Sequence, residues 1–275
     1  MGQAKLKRQS AFPPELIAEW EATDCVNFAV GLARLTGWLL EVDWWTTATK
    51  STDKVPLDQL KPIRVHVADN CETIFDSRGI RSLVEYNQSI LYRRLPSGLG
   101  SIDTRFYQES KLPTLPLRSQ PNEVLVARAL AAIQANPLFL AAIPRRTQPN
   151  LPAYDAAHFS LGRCAPFSEA LHTVTGLPPV AILAVRFAPH FSATETSDNG
   201  YVHSVVLHPD GMGEDAWGKA PLRDIARRFG VEEFTINGDA HRAVVAALQQ
   251  NSSIAYEIAV RDALELLKTY RGTAL

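Results

Sequence analysis

The sequence predicts an α+β protein made of two tandem copies of one unit, followed by a C-terminal helical segment. The main observation is an internal repeat, because DCVNFAVGLARLTG at residues 24–37 aligns without a gap with RCAPFSEALHTVTG at residues 163–176. Each copy later has a Val-His pair and then an Asp-x-x-Gly-x-x-x-Leu motif. In each copy apolar residues at helical spacing are followed by strand-like segments, which indicates one helix packed on an antiparallel sheet.

The first predicted element of each copy is an amphipathic helix that begins at a cysteine. Phe28, Leu32 and Leu35 follow Cys25 at helical spacing, and Gly37 stands where a C-terminal glycine commonly ends a helix. The segments LLEVDWW and VAILAVRF then have the composition of strands. We expect each Val-His pair and each following aspartate to lie on neighbouring strands of a hairpin.

The repeat and the proline content together predict the domain boundaries. We expect a first unit over residues 13–100, a proline-rich connector with one helix over residues 101–152, and a second unit with its helical tail over residues 153–275. Prolines at both ends of the middle segment interrupt regular structure, which favours a connector there.

The composition excludes several classes of partner and cofactor. A formal net charge of −1 gives no electrostatic basis for binding nucleic acid, and no apolar run approaches the ~20 residues that span a membrane. A glycine-rich phosphate loop, a CxxC pair and an HxxxH pair are all missing from the sequence, so we expect no cofactor and no metal. The oligomeric state stays open.

The three widely spaced cysteines indicate free thiols in a reducing compartment, and we therefore predict a cytoplasmic protein. A protein that is delivered into another cell's cytoplasm would have the same composition. Of the three, Cys71 has no counterpart in the other copy and is expected to be a packing residue.

Both copies keep a cysteine, a histidine and an aspartate in the same order. The cysteine-to-histidine separations are 41 and 39 residues, and the histidine-to-aspartate separations are 10 and 12. This order predicts a nucleophile, its base and the acid that orients the base. The predicted catalytic residues are Cys25, His66 and Asp76 in the first copy and Cys164, His203 and Asp215 in the second.

The chemistry requires these residue types. The thiolate is the nucleophile, and the start of a helix favours it because unpaired backbone N–H groups lie there. An imidazole can take the thiol proton and later return it to a leaving group, while a carboxylate fixes the orientation of the ring. The backbone N–H of the cysteine is a natural oxyanion donor, but the sequence assigns no second donor.

The segment GRCAPF at residues 162–167 resembles the Gly-x-Cys-x-x-Phe segment that opens the nucleophile helix of papain-like thiol peptidases and transglutaminases. The order Cys, His, Asp and the gap of about forty residues resemble the transglutaminase-like branch more closely. The resemblance implies two papain-like (transglutaminase-like) units. It also implies a thiol enzyme that acts on amide or acyl groups of a protein or peptide.

The resemblance leaves the outcome of the reaction open, among peptide or isopeptide hydrolysis, glutamine deamidation and acyl transfer to an amine. The sequence also departs from the family. Thr23 stands where the family has glycine, and in neither copy does tryptophan follow the cysteine or the histidine.

The residues next to the two cysteines predict a difference in reactivity. Arg163 beside Cys164 favours a thiolate and Asp24 beside Cys25 opposes one, so we expect Cys164 to be the more reactive thiol. The alternative is a catalytically weakened tandem module that binds a protein or peptide partner. Arginines available to such an interface are Arg64, Arg93, Arg94, Arg145 and Arg146.

Overall fold

A computed structural model describes residues 12–48, 55–69, 73–96, 100–144, 146, 151–189 and 200–271. The chain has an α+β fold and divides into two compact units, Met1–Arg145 and Arg146–Leu275. Each unit contains one five-stranded antiparallel sheet in its described part. No helix of the described residues is both long enough and apolar enough to cross a membrane.

The first unit begins with two helices, and its sheet has the strand order β4-β3-β2-β1-β5. Its main elements are α1 (Pro14–Glu21), α2 (Val26–Thr36), β1 (Leu39–Thr46), β2 (Lys61–Ala68), β3 (Thr73–Asp76), β4 (Gly79–Ser82), α3 (Leu83–Tyr86), β5 (Ser101–Tyr107), α4 (Glu123–Gln134) and α5 (Pro137–Ala141).

The second unit has the same order of elements up to its sheet, which runs β10-β6-β7-β8-β9. Its elements are α6 (Ala153–Ala157), α7 (Cys164–Thr175), β6 (Pro179–Phe187), β7 (Tyr201–Leu207), β8 (Met212–Asp215), β9 (Gly218–Pro221), α8 (Leu222–Arg228), β10 (Val231–Asn237) and α9 (Gly238–Arg271). The last helix is interrupted by a non-helical backbone at Ser252.

The two units share one topology, as the sequence repeat predicts. In each, the first strand of the sheet in chain order pairs on one side with the strand that follows it and on the other with the last strand. The cysteine helices also end alike, because Gly37 (φ 72°) and Gly176 (φ 70°) adopt the left-handed conformation that glycine tolerates best.

Aromatic packing anchors the cysteine helix of each unit at equivalent positions. In the first unit the Phe28 and Trp20 rings lie 4.7 Å apart, and in the second the Phe167 and Phe159 rings lie 5.0 Å apart. All four side chains are buried. The apolar matches between the two copies therefore maintain the fold around each cysteine.

The segment predicted as a connector supplies parts of the first unit instead. Residues 101–107 form β5, which pairs with β1 along its length, and α4 packs against α2. The two helices approach closely at Gly31 of α2, where an added Cβ would lie 3.4 Å from Leu130 and from the Val126 carbonyl. Because β5 pairs with the outer side of β1, these residues belong to the sheet of the first unit.

Candidate active site

The pairing of strands establishes which residues of the two units are equivalent. Asp43 pairs with Arg64 in the first sheet, and Ile182 pairs with His203 in the second. A constant shift of 139 residues, the separation of Cys25 and Cys164, relates both pairs. The counterpart of His203 is therefore Arg64 and not His66, which corrects the predicted first triad.

The sequence contains a signal for this correction. The cysteine-to-aspartate separation is 51 residues in both copies, 76−25 and 215−164, which requires no gap between them. Aligning the two Val-His pairs introduces a shift of two residues on β2. A register error of two keeps the side chain on the same face of a strand, so alternation along the strand does not reveal it.

The second unit brings its three predicted residues together. Cys164 is the first residue of α7 and is 6% exposed. His203 and Asp215 lie on neighbouring strands, and Nε2 of His203 is 3.0 Å from Oδ2 of Asp215. The other ring nitrogen, Nδ1, is buried and has no hydrogen-bond partner among the described residues, so it is free to exchange a proton.

Asp215 is held as a carboxylate by partners that the sequence analysis did not find. Arg228 of α8 donates to Oδ2 at 2.7 Å, and the backbone N–H of Trp217 donates to Oδ1 at 2.8 Å. Burial alone would raise the pKa of Asp215, but the charge of Arg228 and the hydrogen bond to His203 lower that pKa to about 2. The carboxylate therefore stays charged at neutral pH and can orient the imidazole.

The electrostatics favour a thiolate–imidazolium pair in the second unit. Burial opposes both charges, but the nearby charge of His203 and the hydrogen bonds from Tyr201 and the Ser204 backbone lower the pKa of Cys164. The Cys164 charge and the hydrogen bond to Asp215 likewise outweigh burial and raise the pKa of His203 to about 9. An opposite charge at short range stabilises the charged form of each partner.

The backbone before Cys164 leaves the N-terminus of α7 uncrowded. Gly162 has a φ of 72°, and a Cβ added there would meet no described atom within 4 Å. Within the described part of the chain no backbone carbonyl accepts a hydrogen bond from the Cys164 N–H. This N–H can therefore serve as the predicted oxyanion donor.

The first unit has a different helix start. Asp24 and Cys25 are two successive non-glycine residues with positive φ, 53° and 61°. Cys25 caps α2 instead of lying in it, and its N–H donates to the Trp20 carbonyl at 2.8 Å. The backbone donor that an oxyanion would need is thus already used.

The Cys25 thiol lies beside a buried arginine, and no described imidazole is its partner. Its Sγ is 3.6 Å from Oγ of Ser77, which in turn accepts from Arg64 at 3.0 Å. Burial outweighs the charge of Arg64 and raises the pKa of Cys25 to about 11. Arg64 Nη2 lies 3.1 Å from Asp76 Oδ2, so Asp76 pairs with the guanidinium instead of orienting a histidine.

His66 belongs to a separate buried cluster on β1 and β2. Its Nε2 lies 3.0 Å from a Glu41 oxygen, and its Nδ1 lies 3.2 Å from an Asp43 oxygen. Burial disfavours the charged ring, but these two carboxylates, Asp43 foremost, raise the pKa of His66 to about 10. With both ring nitrogens facing acids, His66 is not placed to act as a base for Cys25.

The pKa values of the two thiols differ in the predicted direction, but the cause is not the predicted one. Arg163 pairs with Asp262 at 2.8 Å, and Asp24 pairs with Arg118 at 3.1 Å. Each neighbouring charge is thus balanced by a partner. The difference comes from burial of Cys25 and from His203 beside Cys164.

The arginines proposed for a partner interface have varied positions. Arg64 is fully buried, Arg94 pairs with Glu21 at 2.9 Å and Arg146 lies over the Trp217 ring at 4.9 Å. Arg93 is exposed. Arg145 and Cys71 lie outside the described residues.

An open surface pocket of about 460 Å³ lies beside the start of α7. Arg163 and Phe159 line it from the nucleophile side, and Asp262 and Glu265 line it from α9. The pocket therefore offers both charged and aromatic groups next to the residue that precedes Cys164.

Comparison of the chain with protein-family models, with curated proteins and with solved structures finds no match. Among the described residues, no group of three or more His, Cys, Asp or Glu side chains is placed to hold a metal ion. The function is therefore argued from the geometry of the site.

Proposed function

We propose that this protein is a thiol enzyme of papain-like or transglutaminase-like character. It acts on an amide or acyl group of a protein or peptide through a covalent acyl-enzyme on Cys164. The observation that carries the proposal is the Cys164, His203 and Asp215 arrangement, in which the thiol pKa is lowered and the histidine pKa is raised to about 9. Such opposite shifts in one site are typical of a nucleophile and its acid–base partner.

The reaction begins when the Cys164 thiolate attacks the carbonyl carbon of the substrate. The carbonyl π electrons move to oxygen, and the free Cys164 N–H donates a hydrogen bond to this oxyanion. The tetrahedral intermediate collapses as His203 donates its Nδ1 proton to the departing amine, which leaves a thioester on Cys164. Asp215 holds the ring in position throughout.

The second half of the reaction depends on which acceptor reaches the thioester. Neutral His203 takes a proton from water or from an amine, the acceptor attacks the thioester carbonyl, and the thiolate leaves with the imidazolium restored. Water acting on a peptide or isopeptide gives hydrolysis, water acting on a glutamine side chain gives deamidation, and an amine gives acyl transfer. The charged pocket beside Arg163 supports a polar substrate, which all three reactions share.

A binding role is the second candidate, and the first unit favours it. Arg64 replaces the base, and the pKa of Cys25 is raised to about 11, so the described part of the first unit does not assemble a thiolate with its base. We propose that the first unit is a non-catalytic copy that contributes partner or substrate binding.

The experiment that tests the enzymatic proposal is acylation by an activated ester such as p-nitrophenyl acetate. The full chain carries Cys71→Ser, so that reactivity at Cys71 does not interfere. We expect a burst of p-nitrophenol and one thioester, located at Cys164 by mass spectrometry after acid quenching. Cys25→Ala is the matched control and should keep the burst, whereas Cys164→Ala should lose it. A burst that survives Cys164→Ala, or acylation no faster than that of free cysteine, would refute the proposal.

A further inference from the structure

A second polar chain leads away from the Cys164 thiol, separate from His203 and Asp215. The Cys164 Sγ lies 3.2 Å from the Tyr201 hydroxyl, which lies 2.9 Å from Oγ of Ser204. Ser204 lies 2.9 Å from Nδ1 of His241, and Nε2 of His241 lies 2.8 Å from a Glu169 oxygen. Ser204 and His241 are buried, and the Glu169 side chain is 32% exposed. The chain thus connects the thiol with the surface through side chains alone.

An irregularity in β7 allows this chain to form. The pairing of β6 with β7 shifts between Ile182 and Leu183, so that one extra residue, Val202, is inserted in β7. A bulge of this kind re-aims the side chains around it. Tyr201 and Ser204, which would point to opposite faces of a regular strand, are hydrogen-bonded as a result.

The first unit provides an internal control for the role of this chain. It has the same bulge at the same place, between Asp43 and Trp44. The shift of 139 residues gives the counterparts of the polar side chains in the first unit. Tyr201 corresponds to Pro62, Ser204 to Val65 and Glu169 to Val30. The fold therefore forms without the polar chain, and the chain accompanies the unit that has His203.

The hydrogen atoms along the chain can be arranged in two directions. When Cys164 is a thiol, S–H donates to Tyr201, Tyr201 donates to Ser204, and Ser204 donates to Nδ1 of His241. When the thiol proton has moved to His203, the sulfur can only accept a hydrogen bond, so the Tyr201 hydroxyl turns to donate to it and Ser204 donates to Tyr201. No atom is gained or lost, because His203 holds the thiol proton and the other hydrogen bonds only change direction.

We propose that Tyr201 is a catalytic hydrogen-bond donor to the Cys164 thiolate, and that Ser204, His241 and Glu169 are positioning residues that direct its hydroxyl proton toward sulfur. The inference rests on the proposed function of Cys164 as a nucleophile. Burial and the Cys164 charge raise the pKa of Tyr201, so the hydroxyl stays protonated and available as a donor. Hydrogen bonds to a charged group are stronger than those between neutral groups.

The test is the pH dependence of alkylation of Cys164 by iodoacetamide in the full chain with Cys71→Ser. Alkylation needs only the thiolate and no turnover, so failure here is distinguishable from failure of the acylation experiment. Tyr201→Phe removes only the hydroxyl, and we expect it to lower the rate on the acid limb about tenfold and move that limb to higher pH by about one unit. Tyr270→Phe, the same change on the partly exposed end of α9, should leave the profile unchanged.

The positioning role has its own variants, Ser204→Ala and His241→Asn. Both should move the acid limb in the same direction by a smaller amount, while Tyr201 is still present. His172 and Tyr256 also interact with Glu169, at the outer end of this polar chain. The variants His172→Gln and Tyr256→Phe are therefore measured as well, and they should move the acid limb less than Ser204→Ala does.

Two results would overturn the inference. An unchanged acid limb in Tyr201→Phe would show that the hydroxyl does not stabilise the thiolate. A shift in Tyr201→Phe without any shift in Ser204→Ala would show that Tyr201 acts without the chain. If His241→Asn does not fold, the Ser204 variant decides the second point, because serine to alanine at one buried site removes a single atom.

Discussion

At the residue scale, the residue in the position of the base distinguishes the two sites. His203 of β7 is replaced by Arg64 in β2. A guanidinium remains protonated in proteins and therefore cannot take a proton from a thiol. Arg64 is fully buried and pairs with Glu21 at 2.9 Å and Asp76 at 3.1 Å, so the same backbone position holds a base in one unit and an ion-pair network in the other.

The pH profile of acylation follows from the thiolate–imidazolium pair. The rate should rise as Cys164 ionises, below the ordinary thiol range, and fall as His203 loses its proton near pH 9. Asp215→Asn removes a group that raises the histidine pKa, so the alkaline limb should move to lower pH and the maximal rate should fall about a hundredfold. The measurement is the rate of amine release from a peptide p-nitroanilide from acid to alkaline pH, because an amine leaving group, unlike p-nitrophenolate, needs the His203 proton. An Asp215→Asn variant with an unchanged profile would contradict the orienting role.

The buried Arg64 network gives a stability prediction. Arg64→Met keeps the volume of the side chain but leaves Glu21 and Asp76 without this partner, and removing one member of a buried ion pair costs about 3–5 kcal/mol. We therefore expect urea denaturation to show a free energy of unfolding that is lower by about 3–5 kcal/mol. Acylation of Cys164 should be retained under conditions in which the variant is folded. A neutral effect on stability would mean that the network is not needed to hold β2 and β3 together.

At the element scale, the start of the cysteine helix distinguishes the two units. The helix α7 includes its cysteine, follows a glycine in the left-handed region and leaves the Cys164 N–H free of a backbone acceptor among the described residues. Cys25 instead caps α2 with a positive φ, and its N–H is bound to Trp20. One element thus offers an oxyanion donor and the other does not.

Two glycines that flank α7 allow a matched test of this difference. Gly162 (φ 72°) precedes the helix and Gly176 (φ 70°) ends it, and a Cβ added at either would meet no described atom within 4 Å. Because both residues have positive φ, Gly162→Ala and Gly176→Ala should each reduce stability by about 1–2 kcal/mol through backbone strain. The acylation rate should fall in Gly162→Ala and stay unchanged in Gly176→Ala. Equal rates in the two variants would show that the helix start does not position the nucleophile.

At the scale of the whole molecule, the two units share one topology but distribute their charges differently. The His66 cluster of the first unit holds a proton that the unfolded chain would release, whereas the His203 proton of the second unit is balanced by ionisation of Cys164. The stability of the chain should therefore respond to pH mainly through the first unit on the alkaline side. On the acid side both units respond, through Glu21 and Asp215.

The sign of this dependence can be stated for each group. The pKa of His66 is raised from 6.5 to about 10, so its contribution is full below pH 6.5 and is lost as the pH rises toward 10. The pKa values of Glu21 and Asp215 are lowered to about 2, so their contributions are lost as the pH falls toward that value. Urea midpoints across this range check the prediction. In His66→Gln the urea midpoint should fall less steeply as the pH rises above 6.5. An unaltered slope would show that other groups cause the loss of stability at alkaline pH.

The sequence repeat predicts much of this architecture because apolar spacing and helix-ending glycines are local signals. The cysteine helices, the hairpins and the placement of Cys164, His203 and Asp215 were predictable in this way. The first triad was predicted wrongly, because His66 lies two residues beyond Arg64, the true counterpart of His203, and lies on the same face of β2 as Arg64. The Tyr201 contact was also missed, since it depends on a bulge that no local pattern marks. The strand at residues 101–107 depends on pairing with a distant strand, which composition does not reveal.

The central claim, that Cys164 and not Cys25 is the reactive thiol, is tested most directly by alkylating both in one sample. The full chain with Cys71→Ser is treated briefly with iodoacetamide at a series of pH values, and the two peptides are quantified by mass spectrometry. The account predicts that Cys164 is modified below the pH at which an ordinary thiol ionises, while Cys25, with a pKa of about 11, stays unmodified until strongly alkaline pH. The account would be contradicted if both cysteines were modified with the pH dependence of an ordinary thiol. It would also be contradicted if Cys25 were modified at lower pH than Cys164.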